Sequence, residues 1–375
     1  MEKTDKIIEK LVCGSSLSLS EYERLIEERT PEIADYLAEE AVKVRKKYYG
    51  NDVYIRGLIE ISNICKNDCL YCGIRKSNSE CSRYRLTKED ILQCCKAGYS
   101  LGLRTFVLQG GEDGYYTDEV LVEIISEIKS LYPDCAVTLS LGERSYESYR
   151  LLKEAGADRY LLRHETADES HYSKLHPEKM KLSERMECLR NLKKLGYQTG
   201  CGFMVGSPYQ TAANLAADLK FIEEFKPEMC GIGPFIPHPK TPFADFSSGS
   251  AELTCYLLSI IRLIHPRVLL PATTALGTIL PDGRESGIKS GANVVMPNLS
   301  PVSVRKKYEL YADKICTGEE SAQCMGCLSR RMESIGYRIV TKRGDFVQTP
   351  DKPSSALSTA HQQAQSLVDV RFPRI

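Results

Sequence analysis

No apolar run in this 375-residue chain reaches the ~18–20 residues of a membrane span, so membrane partners are not expected. Net charge is also missing. Fifty Lys and Arg balance fifty Asp and Glu, for a formal net charge of +0. That balance removes the electrostatic case for a general nucleic-acid binder, while leaving room for a local basic pocket. An apolar signal core is absent from the charged stretch Met1 to Lys10, which reads as a cytoplasmic chain. The density of a disulfide scaffold is lacking too. The 15 cysteines are about 4% of residues, against roughly 8–10% for such scaffolds. Their number is odd and the expected compartment is reducing, so metal ligation is the first role to consider.

What is present is enough apolar residue (42%) for one large or two ordinary domains. Residues 1–50 read as helical, with apolar spacing at Ile7, Ile8, Leu11, Leu25 and Ile26. Thr30 and Pro31 predict the cap and first turn of a helix running to about Tyr48. From Val53 short apolar runs alternate with amphipathic segments. The runs are Val53–Ser62, Thr105–Gln109, Ala136–Leu141, Arg159–Arg163, Thr199–Val205, Met229–Phe235, Leu269–Thr274 and Asn293–Met296. Between them lie helical patterns such as Lys88–Gly102 and Thr117–Leu131, with Gly102, Gly156 and Gly196 at predicted helix ends. Eight strands alternating with helices predict a parallel α/β fold, a complete (β/α)8 TIM barrel of ~250 residues. An open doubly wound sheet is the second choice. The expected division is 1–50 N-terminal helices, 51–300 barrel, 301–336 a cysteine-containing C-terminal extension, and 337–375 a tail that hugs the surface or moves. In either architecture functional groups belong just after the strands.

The first run leads into Cys65, Cys69 and Cys72, three thiols within eight residues. Three thiolates can hold three irons of a [4Fe–4S] cluster and leave the fourth open for chemistry. A zinc site or buried thiols are the alternatives, although zinc usually takes four ligands in paired blocks. The second run ends in Gln109, Gly110, Gly111 and Glu112, where paired glycines admit close backbone approach to a ligand or simply make a tight turn. The fourth ends in Arg163, His164, Glu165 and Thr166, either site residues or a solvated ion pair. Thr138 on the third run is small and polar. Met204 on the fifth reads by residue type as packing. No Ser–His–Asp set or paired-carboxylate constellation stands out. A second group, Cys316, Cys324 and Cys327, lies beyond the eight runs. The other nine cysteines lack ligand spacing and read mostly as small core residues.

The C-x3-C-x2-C spacing, with Tyr71 before the last thiol, resembles the radical S-adenosylmethionine (SAM) superfamily. Longer strings narrow the resemblance to HydE-type maturases of [FeFe]-hydrogenase, related to biotin synthase and methylornithine synthase. They include Ala155 to Thr166, Gly231 to Pro239, Pro271 to Ala275 and Gly291 to Asn298. The resemblance implies a cluster held by Cys65, Cys69 and Cys72, whose open iron chelates SAM. It assigns the Gly110-Gly111-Glu112 backbone to the SAM amino group, Glu165 to the ribose and Arg185 to the carboxylate. Tyr71, Gln109, Thr138, Arg163 and Met204 complete the implied cofactor contacts. It also implies a second iron–sulfur cluster at Cys316, Cys324 and Cys327. The implied substrate is an organometallic iron–cysteine precursor of the hydrogenase two-iron subcluster. Partner maturases and an external ferredoxin- or flavodoxin-type electron donor are implied as well. Another radical-SAM reaction and a non-catalytic iron–sulfur scaffold remain as alternatives. The stretch after Gly336 has no counterpart in the resemblance.

Overall fold

The computed structural model describes residues 2–318 and 321–347; the expected tail from Pro350 to Ile375 lies outside the described residues. Helices α1 (Glu2–Val12), α2 (Leu19–Glu27) and α3 (Pro31–Tyr49) come first. As predicted, Pro31 opens α3, and the Thr30 side chain accepts from Ile33 N. Strands β1 (Asp52–Ile55) and β2 (Gly57–Ser62) then form one run interrupted at Arg56. The alternation continues through α4 (Lys88–Ser100), β3 (Thr105–Gly110), α5 (Asp118–Leu131), β4 (Ala136–Ser140), α6 (Tyr146–Glu154) and β5 (Arg159–Leu161). Next come α7 (Glu169–Leu175), α8 (Leu182–Lys194), β6 (Gln198–Cys201), β7 (Met204–Val205), α9 (Ala212–Phe225), β8 (Met229–Cys230) and β9 (Gly233–Pro234). The chain then passes α10 (Ala251–Ile264), α11 (Thr274–Ile279), α12 (Gly283–Lys289), β10 (Val294–Val295), α13 (Val302–Arg305), α14 (Ser321–Ser334) and β11 (Arg338–Val340). Gly102, Gly156 and Gly196 all take positive φ after α4, α6 and α8, the conformation their sequence positions demand.

The architecture is α/β with parallel sheets. Six strands run in the order β2-β3-β4-β5-β6-β8, three in the order β10-β1-β11, and β7 pairs with β9. Single parallel bridges connect Met229 to Leu269, Pro271 to Val294 and Leu58 to Asn298. The expected strand Leu269–Thr274 is reduced to two of these bridges, and α11 begins at Thr274. Pro271 has no N–H to give a ladder, which explains the loss.

Alternation of period two sorts the strand residues. Ile59, Ile61, Leu108, Leu139, Tyr160 and Cys201 join the main apolar core with the helices. Glu60, Gln109, Thr138, Ser140 and Arg159 take the opposite face. β11 belongs to the stretch expected as tail, yet it pairs with β1 from Asp52 to Tyr54. The chain beyond it docks under the sheet. Arg159, fully buried, donates through Nη2 to the Arg343 carbonyl at 2.8 Å and to Asp345 Oδ1 at 2.7 Å. Gln198 donates to the same carboxylate at 2.9 Å. Of the nine cysteines without ligand spacing, five are buried and three half-buried; Cys13 is exposed.

Candidate functional site

The cysteine loop follows β2, at the C-terminal edge of the sheet. Arg83 organises it. Its guanidinium donates to the carbonyls of Asn63 (2.6 Å), Ile74 (2.8 Å), Arg75 (2.6 Å) and Asn78 (3.1 Å), four backbone acceptors of one loop. Asp68 adds a second tie, accepting from Arg75 Nε at 2.7 Å and Ser77 N at 3.0 Å. Tyr71 is anchored through His176. The His176 Nδ1–H donates to the Tyr172 carbonyl at 3.0 Å, which leaves Nε2 to accept from the Tyr71 hydroxyl at 3.2 Å. Burial holds His176 neutral, with its pKa lowered to about 3.

Burial also raises the three thiols. Cys65 moves up, Cys69 is pushed up to about 12, and Cys72 is raised further. Thiolates at these positions therefore need a strongly positive partner such as bound iron. Among the described residues, no three His, Cys, Asp or Glu side chains are gathered tightly enough for one metal ion. The triad shares one loop rather than one point.

The turn after β3 closes on this loop. Lys66 N donates to the Glu112 carbonyl at 3.0 Å, and Glu112 N lies 3.4 Å from Cys65 Sγ. A Cβ on Gly111 would overlap the Ile64 carbonyl oxygen and come within 2.8 Å of Cys65 Cβ. Gly111 is thus required by close approach. The Glu112 carboxylate faces its own scaffold: it accepts from Glu143 N at 3.1 Å and pairs with Lys66 at 3.1 Å. An open cavity of about 410 Å³ adjoins this turn, lined in part by Lys66, Glu112, Glu143 and Arg144.

The remaining candidates bring unsatisfied polar atoms. Thr138 Oγ1, Arg163 Nε and Nη2, Glu165 Oε2 and Arg185 Nε are buried without a hydrogen-bond partner. Arg163 Nη2 lies 3.1 Å from Glu165 Oε2, and Arg185 Nε 2.6 Å from Glu143 Oε1, close enough for ion pairing but off hydrogen-bond alignment. Thr138 Oγ1 and Arg163 Nε lack even an ion-pair partner, and buried orphans are rare and costly, at roughly 1–3 kcal/mol each. Glu165 also holds φ at +66°, an uncommon conformation for a residue with a side chain. This set fits a polar, zwitterionic ligand such as SAM: guanidiniums for a carboxylate, a carboxylate for hydroxyls. Three half-buried thiols on the adjacent loop fit the edge of an iron–sulfur cluster.

Two candidates behave differently. Met204 is buried among Leu175, Phe235 and Phe243 and packs toward Leu70 and Tyr71, so it supports the cysteine loop from beneath. His164 turns away from Arg163 and Glu165, into the helix layer. It accepts from Gly202 N at Nδ1 (3.2 Å), which puts its proton on Nε2, 3.2 Å from Asp218 Oδ1. The second cysteine group is split between the loop before α14, which carries Cys316, and α14 itself, which carries Cys324 and Cys327. Cys316 receives the Arg284 Nη2 donor at 3.3 Å, Cys324 is buried and Cys327 exposed. Residues 319 and 320 between them lie outside the described residues. Sequence reasoning missed Tyr308, a fully buried phenol whose oxygen accepts from Gln109 Nε2 at 3.3 Å.

Residues 59–222 match the Radical SAM superfamily. Over 298 residues the chain is 47% identical to the [FeFe] hydrogenase maturase subunit HydE of Thermotoga maritima, covering 80% of this chain and 85% of that one. It is 30% identical over 339 residues to 3-methylornithine synthase of Methanosarcina acetivorans, covering 89% and 94% of the two chains. The crystal structure of methylornithine synthase (PylB) superposes with a TM-score of 0.78 at 27% identity, over 89% of this chain and 97% of that one. No helix among the described residues is long and apolar enough to cross a membrane. The chain belongs to the radical SAM enzymes and, within them, to the family of the [FeFe]-hydrogenase maturase HydE.

Proposed function

We propose that this enzyme helps build the two-iron subcluster of the [FeFe]-hydrogenase active site. The observation that carries the reading is the 47% identity to a hydrogenase maturase over 80% of the chain. A bound [4Fe–4S] cluster with one open iron would supply one-electron reductive cleavage of SAM, the radical chemistry this reading directs at an organometallic iron–cysteine precursor. Cys65, Cys69 and Cys72 hold the cluster. Arg185 takes the SAM carboxylate, a task suited to a planar guanidinium. Glu165 takes the ribose, and the Gly110–Glu112 backbone takes the amino group. Gln109, Thr138, Arg163 and Tyr71 line the same compartment, with Met204 beneath.

In this reading the strands close into a complete (β/α)8 barrel. The bridges Met229–Leu269, Pro271–Val294 and Leu58–Asn298 support that closure. An enclosed barrel keeps water from a radical. The substrate lies deeper than SAM, near Thr138 Oγ1 and Arg163 Nε, which are buried without a hydrogen-bond partner. We further propose the division 1–50, 51–300, 301–336 and 337–375, a second iron–sulfur cluster at Cys316, Cys324 and Cys327, and a cytoplasmic setting. Other maturases and a ferredoxin- or flavodoxin-type donor complete the system.

The test is 5′-deoxyadenosine formation after anaerobic reconstitution and reduction, in wild type and Cys69→Ala. Wild type forms it and the variant does not; equal formation by both refutes the mechanism. No SAM consumption by wild type would instead favour a cluster scaffold. The 30% identity to 3-methylornithine synthase favours one second reading, a carbon-skeleton rearrangement. Turnover of lysine, with no effect on hydrogenase maturation, would select it.

A further inference from the structure

The segment 307–314 lies after the last strand of the expected barrel, and the radical-SAM reading assigns it nothing. Its contacts place it inside the site. The Lys307 carbonyl accepts from Asn63 Nδ2 at 2.6 Å, two residues before Cys65. The Leu310 carbonyl accepts from Gly73 N at 2.9 Å, one residue after Cys72. The segment is therefore bolted to both ends of the cysteine loop. Ala312 N ties it to the Pro237 carbonyl at 3.2 Å, on the loop after β9. Gly73 has no room for a side chain, because a Cβ there would overlap the Glu309 carbonyl and sit 2.6 Å from the His238 ring.

A buried ion pair holds the far end. Lys314 pairs with Glu60 on β2, with side chains 8% and 1% exposed. Asn298 Nδ2 donates to the other Glu60 oxygen at 2.9 Å, and Lys314 Nζ donates to the Tyr308 carbonyl at 2.9 Å. The ammonium also lies 4.8 Å from the Tyr308 ring centroid. Breaking a pair this buried leaves an uncompensated charge, so the Tyr308 backbone is firmly placed.

Tyr308 then acts on Gln109. An amide side chain has one donor end and one acceptor end, while a phenol can give or take a hydrogen bond, so the pair fixes where the amide sits and the donor role of Nε2 sets which way it faces. Gln109 spends an Nε2 hydrogen on the Tyr308 oxygen at 3.3 Å. That choice turns its carbonyl oxygen away from Tyr308. Gln109 is half-buried and immediately precedes the Gly110-Gly111-Glu112 turn.

We propose that the 307–314 strap is part of the cofactor site and that Tyr308 is a positioning residue, orienting the Gln109 amide so that its oxygen accepts from the hydroxyl or ammonium donors of bound SAM. The proposal rests on the reading that SAM binds at the ends of β3 to β5. Tyr308 touches no reacting atom in this account; it works through Gln109.

The test is a double-mutant cycle on the reconstituted, full-length enzyme: wild type, Tyr308→Phe, Gln109→Ala and the double variant. SAM affinity and the KM and kcat for 5′-deoxyadenosine formation are measured, with thermal melts to control for folding. Losing one neutral hydrogen bond predicts SAM binding about threefold to tenfold weaker in Tyr308→Phe, with KM raised and kcat little changed. The double variant should be no worse than Gln109→Ala alone. Unchanged SAM affinity in Tyr308→Phe, or additive losses in the double variant, overturns the proposal. A loss that follows the melting temperature instead of KM also overturns it. Failure of wild type to bind SAM would strike the radical-SAM reading itself and so is a separate outcome.

Discussion

Gly110 and Gly111 are adjacent in sequence, and the structure predicts opposite fates when each becomes alanine. At Gly110 an added Cβ would meet Ile61 Cγ1 and the Ser62 carbonyl oxygen at 3.3 Å, a few tenths of an ångström of adjustment. At Gly111 it would lie 2.8 Å from Cys65 Cβ, about 0.6 Å inside ordinary contact, and would overlap the Ile64 carbonyl oxygen as well. Neither neighbour is the free end of a flexible side chain. Relief requires the cysteine loop and the β3 turn to separate. Overpacking of this kind costs about 1–3 kcal/mol, and misplacement by ~1 Å near reacting groups costs ~100-fold in rate. We therefore expect Gly111→Ala to lower 5′-deoxyadenosine formation at least tenfold and to reduce iron bound per chain. Gly110→Ala should stay within about threefold of wild type. The assay is 5′-deoxyadenosine formation with iron and sulfide counts after identical anaerobic reconstitution. Equal behaviour of the two variants would refute the claim that close approach of turn and loop builds the site.

Two further predictions concern stability. His176 and His265 are buried with pKa values lowered to about 3 and about 4 from 6.5. The unfolded chain takes up these protons near pH 6.5 and the folded chain does not, so stability is complete above that pH and falls between 6.5 and about 4. Each histidine contributes about 1.4 kcal/mol per pH unit. Denaturant titrations at pH 7 and pH 5 should show the fall, and His176→Gln should remove one histidine's share of the slope; an identical slope in the variant would contradict the assignment. His164 is excluded because burial raises Asp218 beside it and opposes its effect. Separately, Asp345→Asn removes the carboxylate facing the fully buried Arg159. With Asp345 itself 38% exposed, the expected loss is about 1–3 kcal/mol by chemical denaturation. An unchanged unfolding curve would show that residues 343–346 are not integral to the fold.

The sequence carried the strand and helix alternation because period-two and period-3.6 patterns are local. Ile59 and Ile61, or Leu108 and Leu139, mark their face regardless of what they pack on. The cysteine loop and the Gly-Gly-Glu turn were legible for the same reason: their chemistry is contiguous. The seventh run failed at Pro271, where apolar character survives without a donor for the ladder. What stayed hidden depends on distant partners. β11 sits beside β1 although nearly 290 residues separate them, and no periodicity in Arg338–Val340 announces it. Tyr308 reads as an ordinary tyrosine until Lys314, Glu60 and Asn63 place it beside Gln109. His164 shares a charged string with Arg163 and Glu165, yet it lies past the end of β5 and is held by Gly202 N and Asp218 in the helix layer.

The central claim is tested most directly by an anaerobic [FeFe]-hydrogenase maturation assay in which this protein is omitted and then restored. The account predicts no active hydrogenase without it, recovery with the wild-type enzyme and no recovery with Cys69→Ala. Full hydrogenase activity in its absence, or restoration by Cys69→Ala, would contradict the account.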